Sequence, residues 1–170
     1  MPATRETLFA RLKELGIATE TIEHEAVFTV AESERLERDL PGGHTKNLFL
    51  KDAKGRLFLV VAQSHTPVDL KSLHKLIDSA RLSFGKPELL MEVLGVPAGS
   101  VTALALINDD QKRESVVVDS RLMGYERINC HPLVNTMTTS ISRGDLVRFL
   151  DATGHPPRIM AVAAPGPAPP

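Results

Sequence analysis

Apolar residues recur at helical spacing in five parts of the chain. In the first, Leu8, Leu12 and Leu15 share one face of a predicted helix that Thr4 can cap and Gly16 can close. The other four segments each begin or end at a residue that caps or breaks a helix. The second helix is predicted over 30–38, with Thr29 as its cap and a break at 41–43, and the third over 69–77, with Asp69 as its cap. The fourth is predicted over 87–95, with Pro87 in its first turn, and the fifth over 142–152, with Ser142 as its cap and Gly154 closing it.

Shorter apolar runs between these segments predict β-strands. The clearest pair is a hairpin of residues 45–51 and 56–62 around a turn at 52–55, and its second strand is apolar enough to be covered on both faces. Further strands are predicted over 20–25, 101–107, 115–118, 128–131, 136–141 and 158–163. This order predicts an α/β (α+β) fold, with a single-domain mixed β-sheet and helices packed on it. The domain is predicted over 1–163, followed by a mobile Pro/Ala-rich tail over 164–170.

Composition excludes several classes of protein. No apolar run approaches the length of a membrane span, and the N-terminus lacks the basic and apolar regions of a signal peptide. The single cysteine, Cys130, excludes an internal disulfide and is typical of a reducing compartment, so we expect a cytoplasmic protein. Cys130 is adjacent to His131, but neighbours on a strand point to opposite faces, which favours a small buried residue over a nucleophile.

The net charge of −1 hides an uneven distribution. Residues 46–86 contain eight Lys or Arg against three Asp, so this segment is strongly basic and the remainder of the chain is acidic. A local basic surface suits a polyanion that is bound and released, although a solvated basic face without a partner is common. The chain has one tyrosine and no tryptophan, which argues against a general single-strand binder.

The segment 44–51 carries the first candidate chemistry. Lys46 and Asn47 follow a glycine-bearing loop at 41–43 and lie at the mouth of a predicted buried strand. A lysine held in place by apolar packing suits recognition of a phosphate or of a charged transition state. Taken alone, the segment favours the plainer interpretation of a solvated lysine at the start of an ordinary strand.

Three further segments occur in a fixed order with this one. They are 24–29, the glycine-proline segment 95–102, and 129–142, which is rich in small polar side chains and precedes a predicted helix. Together the four segments resemble the YbaK and prolyl-tRNA-synthetase-associated editing domains. The resemblance extends from about Thr4 to about Ile159, and segments 41–51 and 131–135 are most similar to the Ala-tRNA(Pro) deacylase branch.

The resemblance implies a trans-editing hydrolase that deacylates mischarged Ala-tRNA(Pro) and spares Pro-tRNA(Pro). In that family Lys46 would be essential, anchoring the tRNA 3′ end and stabilising developing negative charge. Asn47 would orient the substrate or water, and His131 would position groups or shuttle a proton. Two alternatives remain: the same chemistry on Cys-tRNA(Pro) or another small aminoacyl-tRNA, and a non-catalytic tRNA-binding or synthetase-associated module.

The resemblance also implies substrate contacts outside these three residues. A tight loop would turn backbone donors toward the aminoacyl group, two threonines would line its pocket, and two basic residues would contact the acceptor stem. These are Gly95, Pro97, Gly99 and Ser100 in the loop, Thr138 and Thr139 in the pocket, and Lys51 and Arg81 on the stem. A helix-stop turn, ordinary strand threonines and exposed charges are the plain alternatives.

Other catalytic patterns are missing from the sequence. There is no Gly-x-Ser-x-Gly nucleophile, no phosphate-binding glycine loop and no histidine or cysteine cluster at zinc spacing. An aminoacyl ester is already activated, so positioning, a water and charge stabilisation suffice for its hydrolysis. By resemblance, the terminal ribose hydroxyl of the substrate would assist. We therefore expect no cofactor and no metal, with the tRNA(Pro) acceptor end and prolyl-tRNA synthetase as partners, and neither membrane nor DNA.

Overall fold

The computed structural model describes residues 2–26 and 30–165, and these form a mixed β-sheet with helices packed on it. The strands are β1 (Thr19–Glu23), β2 (Gly43–Asp52), β3 (Leu57–Gln63), β4 (Leu82–Phe84), β5 (Glu114–Asp119), β6 (Arg127–Cys130), β7 (Met137–Ser142) and β8 (Arg158–Met160). The α-helices are α1 (Arg5–Glu14), α2 (Val30–Asp39), α3 (Leu70–Leu76), α4 (Pro87–Leu94) and α5 (Arg143–Ala152). Within the described ranges, no helix is both long and apolar enough to cross a membrane.

The strands follow the order β1-β7-β6-β2-β3-β5-β8, and β4 pairs with β2 outside this path. The pairs β1–β7, β6–β7, β2–β3 and β2–β4 are antiparallel, whereas β2–β6, β3–β5 and β5–β8 are parallel. The predicted mixed sheet and the predicted β2–β3 hairpin are both confirmed.

Strand β2 has two different neighbours along one edge. Its first residues, Gly43 and His44, pair with β6, whereas its last three, from Leu50 to Asp52, pair with β4. The stretch between them pairs only with β3 on the other side. The sheet therefore opens beside Lys46, in the middle of a strand that is otherwise held firmly.

Apolar side chains cover both faces of the sheet. Leu59 and Val61 of β3 face a larger core with α1, α4 and α5, and Phe58 and Val60 face a smaller core with α3. The continuous apolar run in β3 follows from this arrangement, because each face of the strand is buried.

Local capping signals set the helix ends. The side chains of Thr4, Asp69 and Ser142 accept hydrogen bonds from backbone N–H groups of α1, α3 and α5, as predicted. Gly95 closes α4 with a φ of 68°, a left-handed conformation that favours glycine. The predicted cap Thr29 and residues 166–170 of the predicted tail lie outside the described residues.

Two elements differ from the sequence prediction. The strand predicted over 101–107 is wrong, because this run contains a 3₁₀ helix, Ala103–Asn108, which Thr102 caps by accepting from the N–H of Leu104. Ala103 to Leu106 are all buried, and a short, fully buried apolar run has no periodicity that separates strand from helix. Strand β4 was not predicted, because three residues, two of them exposed, give no alternating pattern.

Candidate active site

The first residues of β2 form one wall of a pocket of about 250 Å³ that α2 covers. Lys46 and His131, two of the three predicted catalytic residues, both line this pocket. The other described lining residues are Ser33, Leu36, Glu37, His44, Thr45, Ser64, Asn129, Cys130 and Thr138. Side chains from three strands and one helix thus converge beside the opening of the sheet.

The loop before β2 is fastened to β6. Gly42 has a φ of 109°, and a Cβ there would lie 2.7 Å from the carbonyl oxygen of Arg127, so the close approach of the two segments requires glycine. The Asn129 amide donates to the Pro41 carbonyl at 3.1 Å, and the Thr45 hydroxyl donates to the Asn129 carbonyl at 2.8 Å. These contacts fix the backbone from which Lys46 extends.

The ammonium group of Lys46 has no hydrogen-bond or ion-pair partner within residues 2–26 and 30–165. Lys46 lies inside β2 and is half-buried where it lines the pocket. A cation held in this way can bind an anionic group without first breaking a bond within the protein.

His131 lies directly after β6, at the start of a tight loop. Its Nδ1–H donates to the Met137 carbonyl at 3.1 Å, which leaves Nε2 as the basic nitrogen of the neutral ring. Burial lowers the pKa of His131; the bond to Met137 opposes this effect and the charge of His24 adds to it. A neutral imidazole whose Nε2 has no hydrogen-bond partner in the described part of the chain can accept a proton at neutral pH.

Thr138 and Thr139 have different environments because neighbours on β7 point to opposite faces. The Thr138 hydroxyl lines the pocket and is hydrogen-bonded at 2.7 Å to Nε2 of His24, whose Nδ1–H donates to the Glu25 carbonyl at 2.8 Å. The Thr139 hydroxyl is hydrogen-bonded at 2.8 Å to that of Thr21 on β1, so the structure does not bring it into the pocket.

Asn47 follows Lys46 on β2 and therefore points to the other face of the strand. It is not among the residues that line the 250 Å³ pocket. Its Oδ1 is buried and has no hydrogen-bond partner in the part of the chain that the structure describes. Such atoms are rare in proteins and are frequent at functional sites.

The glycine-proline loop serves partly as a helix stop. A Cβ on Gly95 would lie 2.7 Å from Cβ of Pro2, so this residue packs against the N-terminus and not against the pocket. The Ser100 N–H donates to the Pro97 carbonyl at 2.9 Å and closes the turn. Gly99 comes nearest to the site, because a Cβ there would lie 3.5 Å from the side-chain nitrogen of Asn135, in the loop that begins at His131.

Lys51 and Arg81 lie together in a second pocket, of about 540 Å³, that does not contain Lys46. A third pocket, of about 590 Å³, contains both Lys46 and Arg81, and it shares Phe84 with the second. Lys46 lines the first and third pockets, and Arg81 and Phe84 line the second and third. We call the second and third pockets together the groove. Phe84 is 64% exposed within it, an aromatic surface that the sequence did not reveal because β4 was not predicted.

Cys130 is buried, and burial raises the pKa of its thiol to about 12, partly offset by a hydrogen bond with Thr45. The thiol is therefore protonated at neutral pH, which agrees with the prediction of a buried, non-nucleophilic cysteine. In the described ranges, no three His, Cys, Asp or Glu side chains form a group that could hold a metal ion.

Comparison with known proteins identifies the family. The aminoacyl-tRNA editing domain matches residues 24–149, and the chain belongs to this family. The protein is accordingly an aminoacyl-tRNA deacylase, a hydrolase of the ester that joins an amino acid to tRNA.

Individual relatives cover nearly the whole chain. It is 42% identical over 159 residues to a prolyl-tRNA synthetase associated domain-containing protein 1 of Danio rerio, and the aligned region covers 92% of this chain and 86% of the relative. It is 36% identical over 152 residues to the prolyl-tRNA editing protein ProX of Acetoanaerobium sticklandii, with 89% and 93% covered. A solved structure of a proposed trans-editing enzyme for prolyl tRNA synthetase has the same fold, with a TM-score of 0.72, 18% identity, and 97% and 100% of the two chains covered.

Proposed function

We propose that this deacylase acts in trans on tRNA(Pro), removing alanine from mischarged Ala-tRNA(Pro) and sparing Pro-tRNA(Pro). The names of two relatives, a prolyl-tRNA editing protein and a prolyl-tRNA synthetase associated domain-containing protein, support tRNA(Pro) as the carrier of the mischarged amino acid. The observation that carries the proposal is the unpartnered ammonium of Lys46 in a small pocket that also contains a neutral His131.

Lys46 is proposed as the main source of catalysis. Ester hydrolysis places negative charge on the carbonyl oxygen in the transition state, and a fixed cation in a partly buried site stabilises that charge. The same ammonium can anchor the phosphate of the terminal nucleotide, since it carries three donors and is not occupied by a carboxylate among the described residues.

His131 is proposed to help move the proton. Water attacks the ester carbonyl carbon, the bond from that carbon to the ribose oxygen breaks, and the free amino acid leaves. The proton lost by water ends on the ribose oxygen, and Nε2 of His131 can carry it between the two because Nδ1 is engaged with Met137. Asn47 lies on the opposite face of β2 and outside this pocket, so it is given no part in this step.

The rest of the tRNA is proposed to lie along the groove. Lys51 and Arg81 would neutralise phosphates of the acceptor stem, and exposed Phe84 between the pockets offers a face on which a base can stack. Prolyl-tRNA synthetase is proposed as a second partner because it produces the mischarged substrate.

Alanine is proposed as the preferred aminoacyl group because the pocket beside Lys46 is small. About 250 Å³ shared between a terminal ribose and an amino acid leaves room for a methyl side chain. A rigid wall rejects a larger ring by steric clash, whereas a large pocket discriminates weakly against a smaller substrate. Thr138 is proposed to define part of the wall of this pocket, whereas Gly99 and Pro97 are not among its described lining residues.

Substitution of Lys46 tests the proposal directly. Lys46→Ala is expected to reduce deacylation of Ala-tRNA(Pro) on the order of 100-fold or more, with an unchanged fold by circular dichroism. Lys75→Ala, at an exposed position of α3, is the matched control and should keep wild-type activity. Full activity of a folded Lys46→Ala protein would contradict the proposed mechanism.

A further inference from the structure

The pocket that contains Lys46 also contains one carboxylate. Among its described lining residues, Glu37 of α2 is the only acidic side chain. This side chain is 16% exposed and is held from two sides, by the hydroxyl of Ser64 and by the Nε2–H of His65 at 2.7 Å. Glu37 therefore has a fixed position in the wall of the pocket that Lys46 also lines.

The carboxylate of Glu37 is charged at neutral pH, and part of its hydrogen-bond acceptor capacity is unoccupied by the bonds described above. Burial raises the pKa of Glu37, but the hydrogen bonds from Ser64 and His65 outweigh it, and the pKa lies below its ordinary value. An ionised carboxylate has about four acceptor positions, of which these two donors occupy two. The remaining positions can accept hydrogen bonds from a bound cation.

An aminoacyl ester brings such a cation into the pocket. Its α-ammonium group lies one carbon from the ester carbonyl that Lys46 is proposed to polarise. Two cations this close repel each other, and the repulsion is strong in a partly buried site. A fixed carboxylate in the same pocket offsets this repulsion and sets the orientation of the amino acid at the same time.

We propose that Glu37 binds the α-ammonium group of the aminoacyl ester and thereby restricts the enzyme to substrates with a free amino group. This inference rests on the proposed deacylase function. N-blocked esters, which include N-acetylaminoacyl-tRNA and the peptidyl-tRNA of translation, lack this cation and are therefore poor substrates.

A structural role for Glu37 makes a different prediction. If its bonds to Ser64 and His65 only fasten α2 to the end of β3, then weakening them affects all substrates alike. His65→Ala removes one of these bonds and keeps the carboxylate, whereas Glu37→Gln keeps the size and removes the charge. Glu37→Asp keeps the charge on a shorter side chain, and it tests the inference independently of the stability of the Gln variant.

The deciding experiment compares hydrolysis of Ala-tRNA(Pro) with that of N-acetyl-Ala-tRNA(Pro). The wild type should favour the free amino group by about 10-fold or more, the contribution of a hydrogen bond to a charged group. Glu37→Gln should bring this ratio close to one by slowing the free substrate, while His65→Ala keeps the wild-type ratio and Glu37→Asp retains a preference. Equal rates for the wild type, or an unchanged ratio in Glu37→Gln, would overturn the inference alone. A wild type inactive on Ala-tRNA(Pro) would overturn the proposed function with it.

Discussion

Glu114 makes the stability of this protein depend on pH. It begins β5 opposite Leu57, is 5% exposed, and neither of its carboxyl oxygens has a hydrogen-bond partner in the described part of the chain. Burial, and then the charge of Asp109, raise the pKa of Glu114 to about 8, while Arg113 lowers it less. Asp109 cannot move away, because His155 donates to it at 2.8 Å in a buried pair.

The size of the effect follows from the two pKa values. Below its unfolded pKa of 4.5 the carboxyl is protonated in both states, and above about 8 it is ionised in both. Between these values only the unfolded chain releases the proton, so the free energy of unfolding falls by about 1.4 kcal/mol per pH unit. By neutral pH the loss is on the order of 3 kcal/mol, a large fraction of a typical domain's stability.

The substitution Glu114→Gln removes the titration and nearly keeps the shape. Urea unfolding at about pH 5 and about pH 7.5 should show the variant gaining about 3 kcal/mol relative to the wild type over this interval. Glu126→Gln, at an exposed position, controls for the loss of one carboxyl group. An equal change in the free energy of unfolding between the two pH values for the wild type and Glu114→Gln would refute this reasoning.

The remaining predictions concern the proposed site and the groove. His131→Gln should slow deacylation by about 100-fold. Because the pKa of His131 is lowered, the wild-type rate should fall on acidification only below the ordinary histidine pKa. A fall in rate that begins at or above that pKa would remove His131 from the chemistry. Cys130→Ser should retain most activity in a steady-state assay, because its thiol is buried and protonated; a large loss would reopen the nucleophile interpretation. Lys51→Ala and Arg81→Ala should each raise KM for tRNA and reduce the slope of log kcat/KM against log salt concentration by about one, the contribution of one phosphate contact. A minimal aminoacylated nucleotide hydrolysed as fast as whole tRNA would contradict their role.

Local signals made part of this structure predictable. The hairpin that carries Lys46 has a turn and apolar strands within a few residues of each other, and caps such as Asp69 and Ser142 act on the next turn of their own helix. These features depend on neighbours in the sequence, so the sequence contains the information that determines them.

Long-range packing decided the rest. Lys46, His131 and Glu37 line one pocket because β2 and β6 pair in parallel and residues of α2 complete its wall, and no short-range pattern specifies that arrangement. The two threonines of β7 differ in role only through the register of that strand with β1 and β6, since a shift by one residue would exchange their faces. Glu37 gave no signal in the sequence, because charged residues on a surface helix are ordinary.

The most direct test of the proposed function is the rate of ester loss from tRNA(Pro) charged in turn with alanine, cysteine, serine and proline. We predict that the wild-type protein removes alanine fastest and leaves proline in place, because we propose that the wall of the pocket beside Lys46 admits a methyl group and rejects a pyrrolidine ring by steric clash. Faster removal of cysteine than of alanine would assign the protein to Cys-tRNA(Pro). Removal of proline at a rate comparable with alanine would contradict an editing role on tRNA(Pro).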